Sequence, residues 1–233
     1  MAIGLARLGR MKGVKRPALS AIFPSMTGFT VVSVIGANVE CKPEYLMQFA
    51  LMGSVYAKKM LGANNPRVGL LSNGEEPGKG NQLVKDTYVM LENSNLNFIG
   101  NVEGKELFEG ETDVVVTDGF TGNVMLKSSE AVAKFMADRL KEEIMNSFRN
   151  KIGALIAKPA LTALKNTIDP AAVGAAPLLG LDGLVFVGHG RSNTRAMMSA
   201  IKMASEAVNI DLIKYLRDAI EQGLKFNNEM EPV

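Results

Sequence analysis

The sequence predicts an α/β protein with a doubly wound, mostly parallel sheet and helices on both faces. The apolar, β-branched runs at 29–35 (FTVVSVI) and 113–117 (DVVVT) are typical of strands buried on both faces. Helical patterns alternate with such runs along the chain, as in the βαβ units of a parallel sheet. The composition agrees, because 47% hydrophobic and 21% charged residues over 233 positions exclude a disordered chain.

The elements of the first half follow from apolar periodicity and from the prolines and glycines between the runs. Pro17 and Pro24 bracket a short apolar run, whereas Pro43 precedes and Gly62 follows a long helical pattern. In order, the predicted elements are a helix at 1–11, strands at 18–23 and 29–35, a helix at 44–61, a strand at 67–71, a helix at 82–92 and a strand at 97–102.

The second half begins with the strand at 113–117. In order, the predicted elements after it are a long helix at 124–150, a helical stretch to residue 168, a strand at 184–187 and helices at 194–208 and 211–223. Pro159 interrupts the helical stretch and is expected to kink it. We expect one α/β domain over 1–233, with residues 147–168 as a helical segment within it.

Several classes of function are excluded by residue counts. The single cysteine, Cys41, and the single histidine, His189, exclude an internal disulfide framework and a cysteine-based or multi-histidine metal site. The absence of tryptophan and the 6% of aromatic residues argue against a stacking platform for nucleic acid. The sequence shows no convincing targeting signal, and no apolar run approaches the ~18 residues that span a bilayer. We expect a cytoplasmic protein that touches the membrane from one side at most.

The net charge of +2 hides two stretches without acidic residues. The first lies before Glu40, and the second lies within 147–168. Such basic clusters can contact phosphate-rich partners, anionic lipid or an acidic protein, but they are equally compatible with a solvated surface. The basic residues are Arg7, Arg10, Lys12, Lys15 and Arg16 in the first stretch and Arg149, Lys151, Lys158 and Lys165 in the second.

Four glycine-rich loops follow predicted strands. Because ligands bind beyond the carboxyl ends of parallel strands, these loops are expected to meet at one edge of the sheet. They are GAN at 36–38, SNGEEPGKGN at 72–81, DGFTGN at 118–123 and GHG at 188–190.

Lys79 lies in the second of these loops, where glycines let backbone N–H groups approach an anion. The spacing is not that of a nucleotide P-loop, because three residues separate Gly74 from Gly78 and Gly80 follows the lysine. We therefore exclude ATP or GTP binding here. A solvated surface turn remains the alternative to an anion site.

Asn123 opens a helix directly after a buried strand. Its amide can donate to a carbonyl oxygen in a transition state, and a helix N-terminus favours an anion. Asp118 in the same loop is compatible with a simple turn residue. His189, between two glycines after a strand, is compatible with a structural or a catalytic role, whereas Cys41 is interpreted as a packed small residue.

Residues 147–168 form a basic amphipathic pattern. Lys151, Lys158 and Lys165 are seven residues apart, which places them on one face of a continuous helix. Such a helix can lie in a membrane interface or pack against a partner subunit. An ordinary surface helix is the alternative interpretation.

These segments together resemble the bacterial phosphate acyltransferase (PlsX) family. The similarity extends from about residue 9 to residue 207, and seven ordered segments are more specific than any single glycine loop. The matching segments are GRMKGVKRPAL, GANVECKPEYLMQFALMGSVYA, NPRVGLL with GEEPGKGNQLVK, NFIGNVEG, DVVVTDGFTGNVMLK, AAPLLGL and GHGRSN.

The resemblance implies that the protein makes acyl phosphate from acyl-(acyl carrier protein) and orthophosphate, towards bacterial phospholipid. It implies a fold related to isocitrate-type dehydrogenases and phosphate acetyltransferases, with a protruding helical pair at 147–168 for dimerisation and membrane contact. The implied partners are the acyl carrier protein, phosphate and a second copy, with no nucleic acid and no organic cofactor. The basic clusters are candidate contacts for the acidic carrier protein.

The resemblance also assigns site residues. Lys79 matches the lysine that holds phosphate, and Asn123 matches the asparagine that donates to the thioester oxyanion. The residues implied in substrate binding are Asn38, Gly80, Gly122, Lys127 and His189.

Three departures from the family pattern stand out. Val34 replaces an aspartate, and residues 173–176 (VGAA) replace a tyrosine with paired glycines. The chain also begins where the family already has roughly a third of its sequence behind it, and the uncapped first helix agrees with that truncation.

Two alternatives are retained. One is a truncated, inactive member of the family that only binds a membrane or a partner. The other is a related dehydrogenase or phosphate acetyltransferase, but the absence of a Rossmann glycine fingerprint and of clustered metal-binding acids argues against the dehydrogenase.

Overall fold

The computed structural model describes residues 2–169, 173–190 and 192–230. Within these residues, seven strands and nine helices alternate along much of the chain. The strands are β1 Ala18–Ser25, β2 Gly28–Ser33, β3 Arg67–Leu71, β4 Asn97–Val102, β5 Val114–Val116, β6 Ala175–Leu179 and β7 Phe186–Gly188. The helices are α1 Ala2–Leu8, α2 Pro43–Met60, α3 Gln82–Glu92, α4 Glu106–Glu109, α5 Gly119–Met145, α6 Phe148–Ile156, α7 Lys158–Ile168, α8 Thr194–Asn209 and α9 Leu212–Met230.

The strands form one mixed sheet in the order β4-β3-β5-β2-β1-β6-β7. β4, β3, β5 and β2 are neighbours and run parallel to one another. β6 has the same direction, whereas β1 and β7 run the opposite way. Five of the seven described strands therefore share one direction, which confirms the predicted α/β class with a mostly parallel sheet.

The antiparallel strands are where the expected βαβ alternation fails. Only Met26 and Thr27 separate β1 from β2, and a connection of two residues can join strands only as an antiparallel hairpin. β6 was not among the predicted strands, because Pro177 and two alanines weaken its strand pattern. It pairs with β1 on one side and with β7 on the other.

The two faces of the sheet are covered unequally. On one face, α2 buries Phe49, Met52 and Tyr56, and α9 packs beside it through Leu216 and Ile220. The opposite face holds a smaller core cluster, against which α5 packs through Met125 and Leu126. The buried residues of this cluster are Ala21, Phe23, Val32, Ile35, Val102, Leu107 and Val115.

The region around α5 differs from the sequence expectation in two respects. The helix begins at Gly119 rather than at residue 124, because Asp118 caps it earlier than the apolar periodicity indicates. The stretch to residue 168 is two helices rather than one kinked helix, and α6 and α7 meet at Ala157. Pro159 lies in the first turn of α7, where its missing N–H removes no helical hydrogen bond.

Because of this break, the prediction that three lysines share one helix face is wrong. Lys151 lies on α6, whereas Lys158 and Lys165 lie on α7, so the three do not share the face of one continuous helix. None of the helices in the described part of the chain combines the length and the apolar character needed to cross a bilayer.

Candidate functional site

Three of the four glycine-rich loops lie at the predicted edge of the sheet. They follow β2, β5 and β3, which are parallel strands and immediate neighbours. The fourth loop, GHG at 188–190, was predicted to join them, and this placement is wrong. β7 runs antiparallel to β6, so its carboxyl end and His189 face the opposite edge.

The loop at 36–38 is joined to the first turn of α5 by direct backbone contact. The Gly36 N–H donates to the Gly119 carbonyl at 2.9 Å, and the Gly119 N–H donates to the Asn38 carbonyl at 3.1 Å. A Cβ at Gly119 would overlap the Ala37 carbonyl oxygen, and one at Gly122 would overlap the carbonyl oxygen of Val34. Glycine is required at both helix positions because two backbones touch there.

Asp118 fixes the start of α5. Its Oδ1 accepts hydrogen bonds from the N–H groups of Phe120 and Thr121, both at 2.9 Å, and its Oδ2 accepts from the Thr121 hydroxyl at 2.7 Å. The side chain is therefore an N-cap, as the turn interpretation of the sequence allowed. These two N–H groups are already bonded, and the carboxylate offsets the positive end of the helix dipole.

Asn123 presents the polar side chain of this first turn. It is solvent-exposed, and its Oδ1 lies 3.5 Å from the point where a Cβ on Gly36 would be. Gly36 has φ of +66°, a conformation that glycine adopts without strain. The Asn123 amide therefore lies directly beside the 36–38 loop, at the edge of the sheet where ligands of such folds bind.

Asn38 is tied into the framework of the same loop. With φ of 56°, it directs its Nδ2 to the Pro17 carbonyl at 2.8 Å. Its own carbonyl accepts from the Gly119 N–H at 3.1 Å and from the Cys41 thiol at 3.0 Å. Burial raises the pKa of that thiol to about 11, so Cys41 is a neutral, packed side chain at physiological pH. This agrees with its sequence interpretation.

The loop at 72–81 is anchored at several points. Asn73 Oδ1 accepts from the Gly80 N–H at 2.9 Å, and Gly80 has φ of +93°. The buried Asn101 donates from its Nδ2 to the Glu76 carbonyl at 2.8 Å. Lys79 lies between the anchored residues Glu76 and Gly80, and its side chain is exposed. No carboxylate among residues 2–169, 173–190 and 192–230 pairs with it. The loop thus holds a cationic group in solvent on a fixed backbone.

A cluster of three carboxylates beside this loop was missed in the sequence. Glu75, Glu103 and Glu106 surround the Lys105 ammonium, whose Nζ lies 2.9, 3.4 and 3.2 Å from them respectively. Their hydrogen bonds hold the pKa of Lys105 above its usual value. Burial opposes ionisation of Glu106, but bonds from its own N–H, from Lys105 and from the Glu103 N–H leave its pKa below its usual range.

Clustered acids, expected from the sequence to be absent, are therefore present. The sequence spacing hid the cluster, because its members come from the loop after β3, the end of β4 and α4. The lysine ammonium occupies the centre where a metal ion would lie. It clamps the loop at 72–81 to the chain after β4.

The remaining two predicted residues lie outside the three loops. The Lys127 Nζ pairs with Glu130 at 2.9 Å on α5, one turn beyond Asn123. His189 accepts a hydrogen bond on its carbonyl from the Ser192 N–H at 2.9 Å. Residue 191 of the GHGRSN segment lies outside the described residues. The structure thus brings Asn38, Lys79, Gly80, Gly122 and Asn123 to one edge and leaves His189 at the other.

Comparison with known proteins agrees with this architecture. The family model described as fatty acid synthesis protein (FA_synthesis) matches residues 1–215. A phosphate acyltransferase of Elusimicrobium minutum is 47% identical over 231 residues, which cover 99% of this chain and 68% of that protein. A phosphate acyltransferase of Pelotomaculum thermopropionicum is 48% identical over 221 residues, which cover 95% of this chain and 65% of that protein.

The fold is shared with a solved structure of low sequence identity. A branched-chain phosphotransacylase from Enterococcus faecalis V583 matches with a TM-score of 0.51 and 12% identity, over 86% of this chain and 68% of that one. The chain spans about two thirds of the length of the two curated relatives, 68% and 65%. By sequence, the chain belongs to the fatty acid synthesis protein family, in which these similar members are phosphate acyltransferases.

Proposed function

We propose that the protein takes part in phosphate acyltransfer, the reaction after which its relatives are named. An oxygen of orthophosphate attacks the carbonyl carbon of an acyl-(acyl carrier protein) thioester, and a phosphate–carbonyl bond forms. The carbon–sulfur bond then breaks, and the carrier leaves as a thiolate that takes up a proton. The products are acyl phosphate, for phospholipid synthesis, and the free carrier protein.

The observation that supports this reaction best is that two suitable groups lie at one sheet edge. The exposed ammonium of Lys79 and the exposed amide of Asn123 follow adjacent parallel strands. A cation can hold phosphate and reduce its repulsion from the developing negative charge, and an amide N–H can donate to the thioester oxyanion. Phosphate is itself the nucleophile, so the reaction needs no activated serine or cysteine and no organic cofactor.

The neighbouring residues have supporting roles in this proposal. Gly122 permits α5 to touch the chain after β2, and Gly80 permits the turn that follows Lys79. Asn38 positions the 36–38 loop through its bond to Pro17. Lys127, one turn beyond Asn123 and paired with Glu130, is proposed to position the substrate rather than to act on it. His189, at the far edge, takes no step in the reaction.

The proposed partners are the acyl carrier protein, a second copy of the chain and the membrane surface. The region 147–168 has four basic residues and no acidic ones, and it exposes large apolar side chains. Phe148, Leu155 and Ile156 are 78, 70 and 77% exposed, an arrangement that suits an interfacial helix pair or a subunit contact. The same surface supports the second candidate function, a non-catalytic protein that binds membrane or a partner.

Trapping of acyl phosphate with hydroxylamine tests the reaction. Replacing Lys79 with alanine removes the cation, and we expect the KM for phosphate to rise roughly 10- to 100-fold, since a charged hydrogen bond contributes ~1.5–3 kcal/mol. Lys85→Ala is the matched control, because Lys85 is an exposed lysine on α3, outside the loop. Equal kinetics for the two variants would contradict the role of Lys79.

Sedimentation with anionic phospholipid vesicles separates the two candidate functions. Ile156→Glu introduces a charge on the exposed apolar surface of α6, and we expect it to reduce vesicle binding. Val89→Glu on α3 is the control, since Val89 is also exposed. Vesicle binding without any acyl phosphate formation would favour the non-catalytic function.

A further inference from the structure

An apolar groove runs along α5 on the less covered face of the sheet. Its volume is about 580 Å³, within the range of small-molecule sites. One wall is the β1–β2 hairpin with α4, and the other is α5 with the end of α7. Its apolar lining includes Phe23, Phe29, Phe108, Leu126, Ala133 and Ala137.

The groove exists because of the side chains on one face of α5. Leu126, Ala133 and Ala137 are spaced by seven and four residues, so they share that face. Leu126 packs against the small core cluster, whereas the alanines further along are too short to reach the sheet. Phe29 and Phe108 on the opposite wall remain 49 and 42% exposed, which leaves aromatic surface for an apolar ligand.

The groove begins one turn beyond Asn123 along α5. Leu126 follows Asn123 by three residues, which is ~4.5 Å along a helix axis, and lies near the sheet edge. From Leu126 to Ala137 the lining of α5 extends ~16 Å away from that edge, since a helix rises ~1.5 Å per residue. This length matches the ~15 Å of one leaflet of a ~30 Å hydrocarbon core, which is the reach of a fatty acyl chain.

Polar side chains occur along the whole groove, although most of its exposed lining is apolar. Lys127 and Glu130 form an ion pair near the end closest to Asn123, and Lys134 and Asp169 lie further along. A thioester or phosphate end therefore meets polar surface at Asn123 and Lys127, while a hydrocarbon tail meets alanine and aromatic side chains beyond them. A mostly apolar groove that begins beside the Lys127–Glu130 ion pair suits a fatty acyl thioester.

We propose that this groove binds the hydrocarbon tail of a fatty acyl group, with the carbonyl end at Asn123 and the tail towards Ala137. The inference rests on the proposed acyltransfer, because it assigns the acyl chain of that substrate to a place on this chain. Its occupant is the acyl chain, rather than a second copy or another protein segment.

A tryptophan reporter tests binding without requiring turnover. The chain has no tryptophan, so Phe29→Trp places a single fluorophore in the groove wall, and Phe135→Trp places one on α5 outside the lining. Dibrominated stearate is the probe, because its bromines quench nearby indole. We expect saturable quenching of Trp at position 29 and little at position 135. Equal quenching of both tryptophans, or no quenching at position 29, overturns the proposal.

Chain length then tests the direction of the tail. Hexadecanoate should displace the probe at least ~100-fold better than octanoate, since each buried methylene contributes about fourfold in affinity. Ser129→Leu narrows the groove ~9 Å from Asn123 and Ala137→Leu narrows it ~21 Å away, by helix rise. We expect Ser129→Leu to weaken the binding of both acids and Ala137→Leu to weaken the binding of hexadecanoate only. Ser128→Leu, next to Ser129 but outside the lining, is the matched control.

The outcomes separate the groove from the reaction. Quenching and length dependence without acyl phosphate formation would leave the groove supported and the proposed reaction refuted. If Ser129→Leu and Ser128→Leu had equal turnover with substrates of both acyl lengths, the groove would be refuted and the reaction would stand. A third outcome concerns the emission of Trp at position 29 in the absence of the probe. If that emission shifts with protein concentration, and the probe does not quench it, a second copy occupies the surface and the proposal is overturned.

Discussion

The two ends of α5 are built in opposite ways. In its first turn, Gly119 and Gly122 are buried and touch the backbone of the chain after β2. In its outer part, every residue from 131 to 143 is exposed, and ion pairs within the helix replace contacts with the sheet. Backbone contact therefore fixes the turn that presents Asn123. The outer part leaves surface free for a ligand or a partner.

The largest effect that tests this difference is expected at Asn123. Asn123→Ala removes the proposed oxyanion donor, and loss of one such donor lowers turnover about 10²–10³-fold. The free energy of unfolding should change by less than ~0.5 kcal/mol, because the side chain is exposed. Steady-state kinetics and urea unfolding measure the two quantities.

Asn150→Ala is the control from the outer region. Asn150 is also exposed, and its Nδ2 donates to the Glu143 carbonyl at 2.8 Å near the end of α5. Turnover should stay within a factor of about two of the parent protein, because this asparagine is far from the proposed chemistry. Similar losses in both variants would mean that the first turn has no special role.

The next effect is a loss of stability at Gly119. In Gly119→Ala, the added methyl group overlaps the Ala37 carbonyl oxygen, so one of the two backbones must move. We expect a loss of about 3 kcal/mol of unfolding free energy, at the upper end of overpacking effects, together with loss of turnover. Urea unfolding of the parent and the variant measures the difference.

Gly153→Ala on α6 is the matched control for this substitution. Nothing lies within 4 Å of the point where its Cβ would be, and Gly153 is inside a helix. Alanine there should stabilise the protein by about 0.5–1 kcal/mol through helix propensity. If both glycine substitutions changed the unfolding free energy in the same direction, the contrast between a packed first turn and open outer helices would be wrong.

The sequence was sufficient for the features that depend on local pattern. β3, α3 and β4 lie at their predicted bounds, because proline, asparagine and glycine punctuate strongly periodic runs there. The edge that gathers Lys79 and Asn123 also followed, since strands alternating with helices form parallel sheets whose loops meet. The individual roles of the site residues remain predictions.

The features that were missed depend on contacts between distant segments. His189 was assigned to the wrong edge because strand direction is set by pairing, and the unpredicted β6 turns β7 antiparallel. The carboxylates of Glu75, Glu103 and Glu106 come together only through the order of β3 and β4 in the sheet. The groove along α5 depends on which side of the helix faces the hairpin, which periodicity alone does not specify.

An effect of intermediate size is expected at Asp118, the N-cap of α5. Asp118→Ala leaves the N–H groups of Phe120 and Thr121 without their acceptor and should cost about 1 kcal/mol of unfolding free energy, as for other N-caps. Turnover should fall as well, since Asn123 is held by the same turn. Asp118→Asn keeps an acceptor oxygen and should recover most of the stability. Equal stability of the two variants would show that the cap contributes little.

The smallest effect is expected at Arg139, in the outer part of α5. Its guanidinium pairs with Glu142 and Glu143, with 3.0 Å from Nη2 to Glu143 Oε1, and all three side chains are at least half exposed. Exposed pairs of this spacing contribute about 0.3–0.5 kcal/mol each, so Arg139→Ala should cost less than Asp118→Ala. The loss should shrink in 1 M salt, where the Debye length is ~3 Å, whereas the loss at Asp118 should persist because its bonds to backbone N–H groups are short-ranged. Turnover should be unchanged. An effect at Arg139 larger than that at Asp118, and independent of salt, would mean that the outer helix is packed against something, and the division of α5 into a fixed turn and an open surface would then be wrong.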